Sequence, residues 1–523
     1  MELTKKIVAM NQVKQRVVTQ VTVDDDMNVP DTKPDIETIV QGKGQCMADN
    51  CKALEGQAQL KGELQFQVLY ITDTKERPLH NLSGKIPIDE MIHMEQAKNN
   101  ALLKAQIEIE DLTISIINSR KISVQAILNI HIDMETMTEE EIAVDAPADD
   151  QMECCRKKME VLQLLTNKKD IFRIKEEVPV PPHQSNIYEI LWENVGVTVT
   201  DIKLIQDKIN VLGDLQVFLL YQGEGDERKV QWLNETYPFH GVVDCQGCHE
   251  LLVPDIGVAV KTKELEIRAD SDGEERIVGI DMTIELDIKL YEEEEVEYLS
   301  DIYGTKMLVE PEWKESIFQH LLMQNQSKYR VNDRVKIKNE MPGILQICNA
   351  SGAVKLDEVQ LVEDGIQVDG VVLAEILYVT TEDKRPFHML QTAIPFSYQI
   401  EAKGIHEGCI YKLLPACEQL SVSMIDSEEL DVKAVVAIQV FVVEQEQTKV
   451  MRGISQSEIP YETIEKMPGM IGYIAGEGDT LWSVGKQYFL PVKDIKEWNH
   501  LTSDTLQKGD KLLLLKNVKT IHA

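Results

Sequence analysis

One stretch of sequence occurs three times in this chain. Residues 68–87 and 376–395 align without a gap at a shift of 308 and are identical at nine of twenty positions, where chance would give about one or two. A weaker copy at residues 219–238, at a shift of 151, keeps the Leu-Tyr pair, an arginine, a leucine and the closing proline. The chain is therefore an internal triplication.

The repeated unit extends well upstream of this motif. The same two shifts align Gly62 with Gly213 and Gly370, and Pro34 recurs in the third copy as Pro342. Successive copies are 151 and then 157 residues apart, whereas the repeats of a solenoid are about 20–50 residues long. We therefore predict three complete domains rather than one stacked array.

The composition limits the compartment and the partners of the chain. With 89 acidic and 54 basic residues, the formal net charge is −35, and such a surface repels nucleic acid and anionic lipid. Residues 1–18 lack the uninterrupted apolar stretch of a secretory signal or a spanning helix. The nine cysteines do not recur between copies, as a disulfide framework of tripled domains should. We expect reduced thiols, a cytoplasmic chain, no nucleic-acid partner and no membrane insertion.

Within each copy, apolar and polar residues alternate, which is typical of half-buried strands. Gly- and Asp/Asn-rich breaks separate these stretches, so we predict a mainly β chain of three tandem antiparallel β-sandwich-like or open-barrel repeats. The alternating stretches are 107–116, 122–132, 256–267, 277–290, 417–424 and 430–443.

The segments between the copies carry a different pattern. Apolar residues in 155–168 and 311–326 have a spacing closer to a helical period, so we predict that short helices join the domains. The predicted division is an N-terminal segment at 1–29, repeats at 30–150, 169–300 and 327–448, helical linkers at 151–168 and 301–326, a linker at 449–467, and a C-terminal domain at 468–523.

Each copy ends in acidic residues. Three glutamates lie in 138–141 and four in 292–295, and Glu444 and Glu446 form a weaker version. Such a run is either a solvated edge that blocks strand-to-strand aggregation or a docking surface for a basic partner. The sequence leaves both readings open.

The C-terminal region differs in charge from the rest. Residues 470–519 hold six acids and seven lysines, a net charge of +1. The pattern predicts a strand at 473–475, a helix capped by Asp479 or Thr480, a second helix after Pro491 that Asn499 ends, and a closing strand at 511–515.

Residues 473–515 resemble the LysM module over its whole length, including its Gly-Asp-Thr-Leu turn. LysM modules are small βααβ domains and commonly bind N-acetylglucosamine polymers in a shallow groove between two loops. In such a module Leu481 fits the core better than the groove, and Asp479 and Thr480 can be helix caps only. The resemblance implies a groove that binds a partner or a glycan, lined by Gly478, Asp479, Thr480, Leu481, Leu501, Thr502, Ser503 and Asp504, with Trp482 as an exposed contact residue.

The three copies are similar to the repeated domain DUF3794 in their Leu-Tyr strand, Arg-Pro turn and closing proline. Three such repeats followed by one LysM module is the architecture of SipL-like clostridial spore coat morphogenetic proteins, the functional counterparts of SpoVID in bacilli. This resemblance implies a non-enzymatic scaffold in the mother-cell cytoplasm whose LysM module binds the coat-basement ATPase SpoIVA and holds other coat proteins at the forespore surface. The second copy departs from the pattern, with Lys229 in place of Pro78 and Pro386.

Two other classes of function compete with a scaffold. A cell-wall-associated protein would bind peptidoglycan or other N-acetylglucosamine-containing glycan through the same groove. An enzyme would need a site between the repeats, but the sequence contains no Walker loop, nucleophile elbow or His-Glu-x-x-His motif. We therefore expect no catalytic residues.

Two motifs imitate cofactor or metal sites. Residues 245–249, Cys-Gln-Gly-Cys-His, match the attachment string of c-type haem, but the match occurs once and such attachment takes place outside the cytoplasm. Residues 270–275 imitate part of a calcium loop, but a hairpin turn between two strands explains them better. We expect no cofactor and no metal.

Overall fold

A computed structural model describes residues 2–73, 78–147, 151–225, 229–337, 341–460 and 467–515. The chain forms three units of six antiparallel strands and one small C-terminal unit, which confirms the mainly β prediction. The first repeat contains β1 Thr4–Asn28, β2 Thr38–Leu54, β3 Gln57–Ile71, β4 Leu79–His93, β5 Leu102–Asn118 and β6 Lys121–Asp145. The second contains β7 Met152–Pro179, β8 Ile187–Ile205, β9 Lys208–Gly223, β10 Val230–Asp244, β11 Val253–Ala269 and β12 Glu275–Gly304.

The third repeat and the C-terminal unit complete the chain. The third repeat contains β13 Met307–Lys336, β14 Ile344–Val362, β15 Gly365–Thr380, β16 Phe387–Glu401, β17 Cys409–Met424 and β18 Glu429–Glu458. The C-terminal unit contains β19 Met470–Ile474, α1 Leu481–Tyr488, α2 Val492–Asn499 and β20 Lys511–Leu515.

Each repeat is a sandwich of two three-stranded sheets. In the first repeat the strand orders are β2-β3-β4 and β1-β6-β5, and the other two repeats have the same orders. Alternate residues of the two central strands meet between the sheets, as Leu64 and Val68 of β3 meet Val124 and Leu128 of β6. Period-two alternation therefore produces one buried face per sheet.

The two segments predicted as helical linkers are strands. The predicted linker 151–168 lies in β7, and 301–326 covers the end of β12 and most of β13; these are the first strands of their repeats, as β1 is of the first. An extra residue bulges from each first strand at Lys14, Leu165 and Leu322, which are positions related by the shifts of 151 and 308.

The helical prediction was wrong because both faces of these strands are buried. In β7, Val161 packs in one apolar cluster and its neighbour Leu162 in another, so apolar residues occur in consecutive pairs. The bulge at Leu165 then shifts the phase of the alternation. Together these two effects imitate the spacing of a helix.

The three repeats close into a ring. In each repeat the small sheet is the one formed by the second, third and fourth strands. One edge strand of each small sheet contacts an edge strand of the small sheet in the next repeat: β4 contacts β8, β10 contacts β14, and β16 contacts β2. A shared apolar core lies between the repeats and includes the equivalent residues Leu69, Leu220 and Leu377 around the buried Trp192. The ring therefore has pseudo-threefold symmetry.

The long strand pairs β1–β6, β7–β12 and β13–β18 extend beyond the sandwiches and pack together. We call these extensions, residues 4–13, 136–145, 152–164, 292–304, 307–321 and 444–458, the stalk. Its core combines Val8 and Met10 of the first repeat with Val161 of the second and Phe318 of the third. All three repeats contribute to it.

The acidic runs lie in the stalk, and several of their carboxylates are paired. Glu294 forms an ion pair with Lys6 of the first repeat, and Glu140 accepts hydrogen bonds from Lys314 and from Ser316 of the third. These acids therefore join repeats, a role that neither of the two sequence readings included.

Candidate functional site

The C-terminal unit has the predicted order of two strands and two helices. Strand β19 pairs with β20 in antiparallel register, and the core contains Leu481, Val484 and Ile495. The side-chain amide of Asn499 donates to the carbonyl oxygens of Ile495 and Leu513, both at 2.9 Å. Asn499 therefore fastens the end of α2 to the closing strand.

The first predicted groove loop, residues 478–481, is mostly engaged in local structure. Gly478 is exposed at a φ of 86°, a value that favours glycine. The Asp479 carboxylate accepts hydrogen bonds from the Tyr473 hydroxyl at 2.6 Å and from the Gly476 N–H at 2.7 Å, and these bonds lower its pKa. Thr480 is the N-cap of α1, and Leu481 is fully buried.

The second predicted loop, residues 501–504, lies beside the first. Leu501 is half-buried, whereas Thr502, Ser503 and Asp504 are exposed. Asp504 forms an ion pair with Lys496 at 2.6 Å. An isolated antiparallel bridge between residues 480 and 505 holds the two loops together.

The exposed part of the candidate groove is smaller than the predicted set. Its exposed members are Gly478, Thr480, Thr502, Ser503 and Asp504. Because these five carry small or polar side chains, they can recognise a partner by hydrogen bonds rather than by apolar burial.

Trp482 is not the exposed aromatic residue that we expected. It is half-buried against the stalk, where its indole N–H donates to Asp301 Oδ2 at 2.8 Å. Its ring meets that of Tyr303 edge-on, with ring centroids 4.8 Å apart. Lys486, one turn further along α1, reaches Asp301 Oδ1 at 2.6 Å.

Two further contacts seat the C-terminal unit on the second repeat. The Tyr303 hydroxyl donates to the carbonyl of Leu490 at 2.8 Å, and a side chain at Gly485 would clash with that hydroxyl, since a Cβ there would lie 2.5 Å from it. Glu153 of β7 accepts a hydrogen bond from the N–H of Val492, at the start of α2.

Burial raises the pKa of Glu153, and the nearby Asp494 carboxylate raises it further. Glu153, Asp301 and Tyr303 are not among the predicted site residues. All three lie near the ends of strands that pair with each other, β7 and β12, and more than 150 residues from the groups that they meet. No local pattern could have identified them.

A cavity of about 290 Å³ lies between the second and third repeats. Its lining includes Asp255 and Lys412, which form an ion pair at 2.6 Å, but it contains no histidine or cysteine among the described residues. The arrangement does not supply a nucleophile with an adjacent base. It therefore gives the enzyme hypothesis no support.

The two imitated sites are structural turns. Cys245 and Cys248 are buried in the core of the second repeat, and burial raises the pKa of Cys248 to about 11. Residues 270–274 form the hairpin turn between β11 and β12, closed by a hydrogen bond from the Asp270 N–H to the Glu274 carbonyl, as predicted. All nine cysteines are free thiols.

Comparison with protein families agrees with this architecture. The profile of the SipL, SPOCS domain family matches residues 35–117, 186–268 and 343–425, and the LysM domain profile matches residues 473–514. The chain thus contains three SipL, SPOCS domains followed by one LysM domain, which is the domain order of SipL-like proteins. Each SPOCS match runs from just before the second strand of a repeat to the fifth, so the two long strands that build the stalk lie largely outside it.

The other comparisons add little to the SipL-like assignment. A stretch of 38 residues, 7% of this chain, is 47% identical to the cell wall-binding protein YocH of Bacillus subtilis (strain 168) and covers 13% of that protein. No solved structure matches the chain. Within the described ranges, neither helix is long and apolar enough to cross a membrane. Both matched families are non-catalytic binding domains and indicate a binding protein associated with sporulation and the cell wall.

Proposed function

We propose that this protein is a non-enzymatic adaptor in spore coat assembly. In the mother-cell cytoplasm its LysM unit binds the coat-basement ATPase SpoIVA at the forespore surface, and its SPOCS repeats hold other coat proteins there. The proposal rests on the SipL-like order of domains. It identifies the exposed loops of the LysM unit as the contact surface.

One structural observation supports the choice of contact surface: the LysM unit is seated on the stalk through Trp482 and Lys486 of α1, and residues 502–504 of its candidate groove remain exposed. Trp482 and Lys486 of α1 use the same carboxylate, Asp301, while Thr502 and Ser503 stay exposed. A module held in one orientation loses less freedom on binding than a module on a flexible tether. The seat therefore leaves the loops available to a partner.

Three linked SPOCS domains suit the assembly of a shell. The three repeats form the same sandwich, so one molecule offers three related surfaces. Weak contacts at several sites of one molecule add through effective concentration. A SpoIVA-bound adaptor can thereby retain coat proteins that bind each site only weakly.

A substitution in the second loop tests the contact surface. Thr502→Arg in the full-length protein places a long charged side chain on the exposed loop, and we expect binding to purified SpoIVA, measured by surface plasmon resonance, to weaken at least tenfold. The matched control is Thr38→Arg, at an exposed threonine where β2 begins. Equal binding by both variants and the unsubstituted protein would contradict the proposed contact surface.

A second candidate function is recognition of cell-wall glycan. The 38-residue similarity to a protein named for cell-wall binding favours it. In this case the same two loops bind N-acetylglucosamine chains, and the SPOCS repeats act as a spacer. Thr502→Arg would then abolish the binding of chitin oligomers, while SpoIVA would not bind the unsubstituted protein.

A further inference from the structure

Three side chains with metal-binding atoms meet in the third repeat, where the sequence led us to expect no metal, and His320 contacts one of them. His320 lies on β13, Glu444 on β18 and Cys409 at the start of β17, and His406 lies in the turn that precedes β17. Glu444 is on the central strand of this sheet and is the register partner of both His320 and Cys409.

The register explains why these side chains share one face. Residues directly opposite each other in antiparallel strands have Cβ atoms about 4.5–5.5 Å apart and point to the same side of the sheet. His320, Glu444 and Cys409 therefore form a row across three strands. The turn, closed by a hydrogen bond from the Cys409 N–H to the His406 carbonyl at 2.9 Å, brings His406 over this row.

The distances among His406, Cys409 and Glu444 fit one small cation, and His320 contacts the Glu444 carboxylate from the other side. Nε2 of His320 lies 3.1 Å from Oε2 of Glu444, and Nε2 of His406 lies 3.2 Å from Oε1. The ligand atoms of His406, Cys409 and Glu444 all lie within 4.8 Å of one another. Zn²⁺ bonds of about 2.0–2.3 Å place the ligand atoms of a tetrahedral site roughly 3.3–3.8 Å apart, so small side-chain movements suffice to close the site.

Burial and charge also favour a cation. Cys409 is 8% exposed, and the side chains of His320 and Glu444 are 23% and 30% exposed, so the site is sheltered but has an open side at His406. Among the described residues, the ion pairs of Glu444 are with two histidines, which carry a charge only when protonated. In the described ranges no lysine or arginine therefore competes with a metal for this carboxylate.

We propose that His406, Cys409 and Glu444 form a Zn²⁺ site in the third repeat, with His320 holding the second oxygen of Glu444. An imidazole, a thiolate and a carboxylate are three ligands that zinc accepts in tetrahedral geometry with water in the fourth position. The site would tie the turn before β17 to β17 and β18, where the sandwich continues into the stalk. This inference goes beyond the adaptor function and does not depend on it.

The other two repeats lack the complete set. The shift of 308 places Gln12, Lys98, Ala101 and Thr136 at these positions in the first repeat, and the shift of 157 places Gln163, His249 and Leu252 in the second. The register pairs residue 12 with 136, and it pairs residue 163 with Glu292, which is therefore the counterpart of Glu444. Because neither set contains a thiol, we expect one metal per chain.

Metal binding changes the hydrogen bonds of two ligands. Nδ1 of His406 accepts a hydrogen bond from the Gly408 N–H at 3.0 Å, so the ring carries its proton on Nε2 when no metal is bound. Ligation through Nε2 moves that proton to Nδ1 and opens the Gly408 contact, which the exposed turn permits. The Cys409 thiol releases its proton to solvent as the S–Zn bond forms.

Titration of the reduced, chelator-treated full-length protein with Co²⁺ tests the site. We expect one equivalent to produce the visible absorption of tetrahedral Co²⁺ together with a thiolate-to-cobalt charge-transfer band, and Zn²⁺ to displace it. Cys409→Ser should remove the charge-transfer band, and His406→Asn should weaken binding at least tenfold.

Two control substitutions should leave the titration unchanged. Cys417→Ser changes a half-buried cysteine on the same strand, and His249→Asn changes the histidine of the second repeat that is equivalent to His406. The absence of the band in excess Co²⁺, or an identical band in Cys409→Ser, would overturn the proposal. His406→Asn changes an exposed turn residue, so its result does not depend on a core substitution that could prevent folding.

Discussion

At the scale of single residues, the tyrosine of the repeated motif makes a corresponding hydrogen bond in all three repeats. Tyr70 and Tyr378 are fully buried, and their hydroxyls donate to the carbonyls of Pro34 at 3.1 Å and Pro342 at 3.0 Å. In the second repeat the Tyr221 hydroxyl instead donates to the side-chain oxygen of Gln184 at 2.9 Å. The tyrosine thus ties each sandwich to the segment that precedes its second strand.

Removing one of these hydroxyls should destabilise the protein. Tyr378→Phe leaves the Pro342 carbonyl without its donor, and a buried unsatisfied group costs about 1–3 kcal/mol. The free energy of unfolding from urea denaturation measures the loss. The control Tyr411→Phe, at a half-buried tyrosine of β17, should change it by less than about 0.5 kcal/mol; equal effects would show that the hydroxyl bond is unimportant.

The raised pKa of Glu153 predicts that the seat of the LysM unit depends on pH. Because the pKa is higher in the seated state than the ordinary 4.5, protonation favours seating. The contribution is complete below pH 4.5 and is lost as the pH rises through the raised pKa. The indole N–H resonance of Trp482 should show more seating at acidic pH, and Glu153→Gln should flatten this profile; an unchanged profile would contradict the assignment.

At the scale of elements, bulges and glycines keep the same positions in all three sandwiches. Strands β2, β8 and β14 each carry a register shift opposite the equivalent residues Gly62, Gly213 and Gly370. A Cβ at Gly62 would lie 2.3 Å from the carbonyl oxygen of Met47, and the other two positions are equally close to a carbonyl. This close approach explains why glycine recurs at the equivalent position of each repeat.

Local patterns predicted the elements whose environment is simple. The alternation of β5 and β6 reflects one buried face, and the caps of α1 are local contacts such as that between Thr480 and Ser483. The first strands of the second and third repeats, β7 and β13, could not be predicted. Both of their faces are buried, and one of the two faces is covered by another repeat. The seat at Asp301 and the cluster around Glu444 also join residues far apart in sequence.

The contact between α1 and β12 should depend on one carboxylate. Asp301→Ala removes the acceptor of both Trp482 and Lys486, so we expect the LysM unit to leave the stalk while both parts stay folded. Hydrogen exchange should increase in α1 and near residue 303. The control Asp281→Ala, on the same strand β12, removes a surface ion pair with Lys175 of β7 and should leave the exchange of α1 unchanged. Slow hydrogen exchange of α1 in Asp301→Ala would contradict this seat.

At the scale of the whole molecule, the three repeats share two apolar cores and therefore should unfold together. One core surrounds Trp192 between the small sheets, and the other lies in the stalk around Phe318. An isolated repeat would expose its share of both cores to water. The formal charge of −35 opposes this association, and ion pairs between repeats such as Lys33 with Glu189 at 2.6 Å offset part of that repulsion.

Truncation of the shared core should affect all three repeats. Trp192→Ala should destabilise the chain by about 3–5 kcal/mol and lower the single calorimetric transition of the ring as a whole. Trp313→Ala, at a tryptophan that is 42% exposed, is the matched control and should have a much smaller effect. Separate transitions for the repeats in the unsubstituted protein would contradict the closed ring.

The proposed adaptor function is tested most directly by parallel calorimetric titrations of the full-length protein with purified SpoIVA and with chitin oligomers. Our account predicts heat of binding with SpoIVA at one site per chain, and its loss in Thr502→Arg, because the exposed loops of the LysM unit form the contact. Binding of chitin oligomers with no response to SpoIVA would contradict the adaptor and identify a glycan-binding protein.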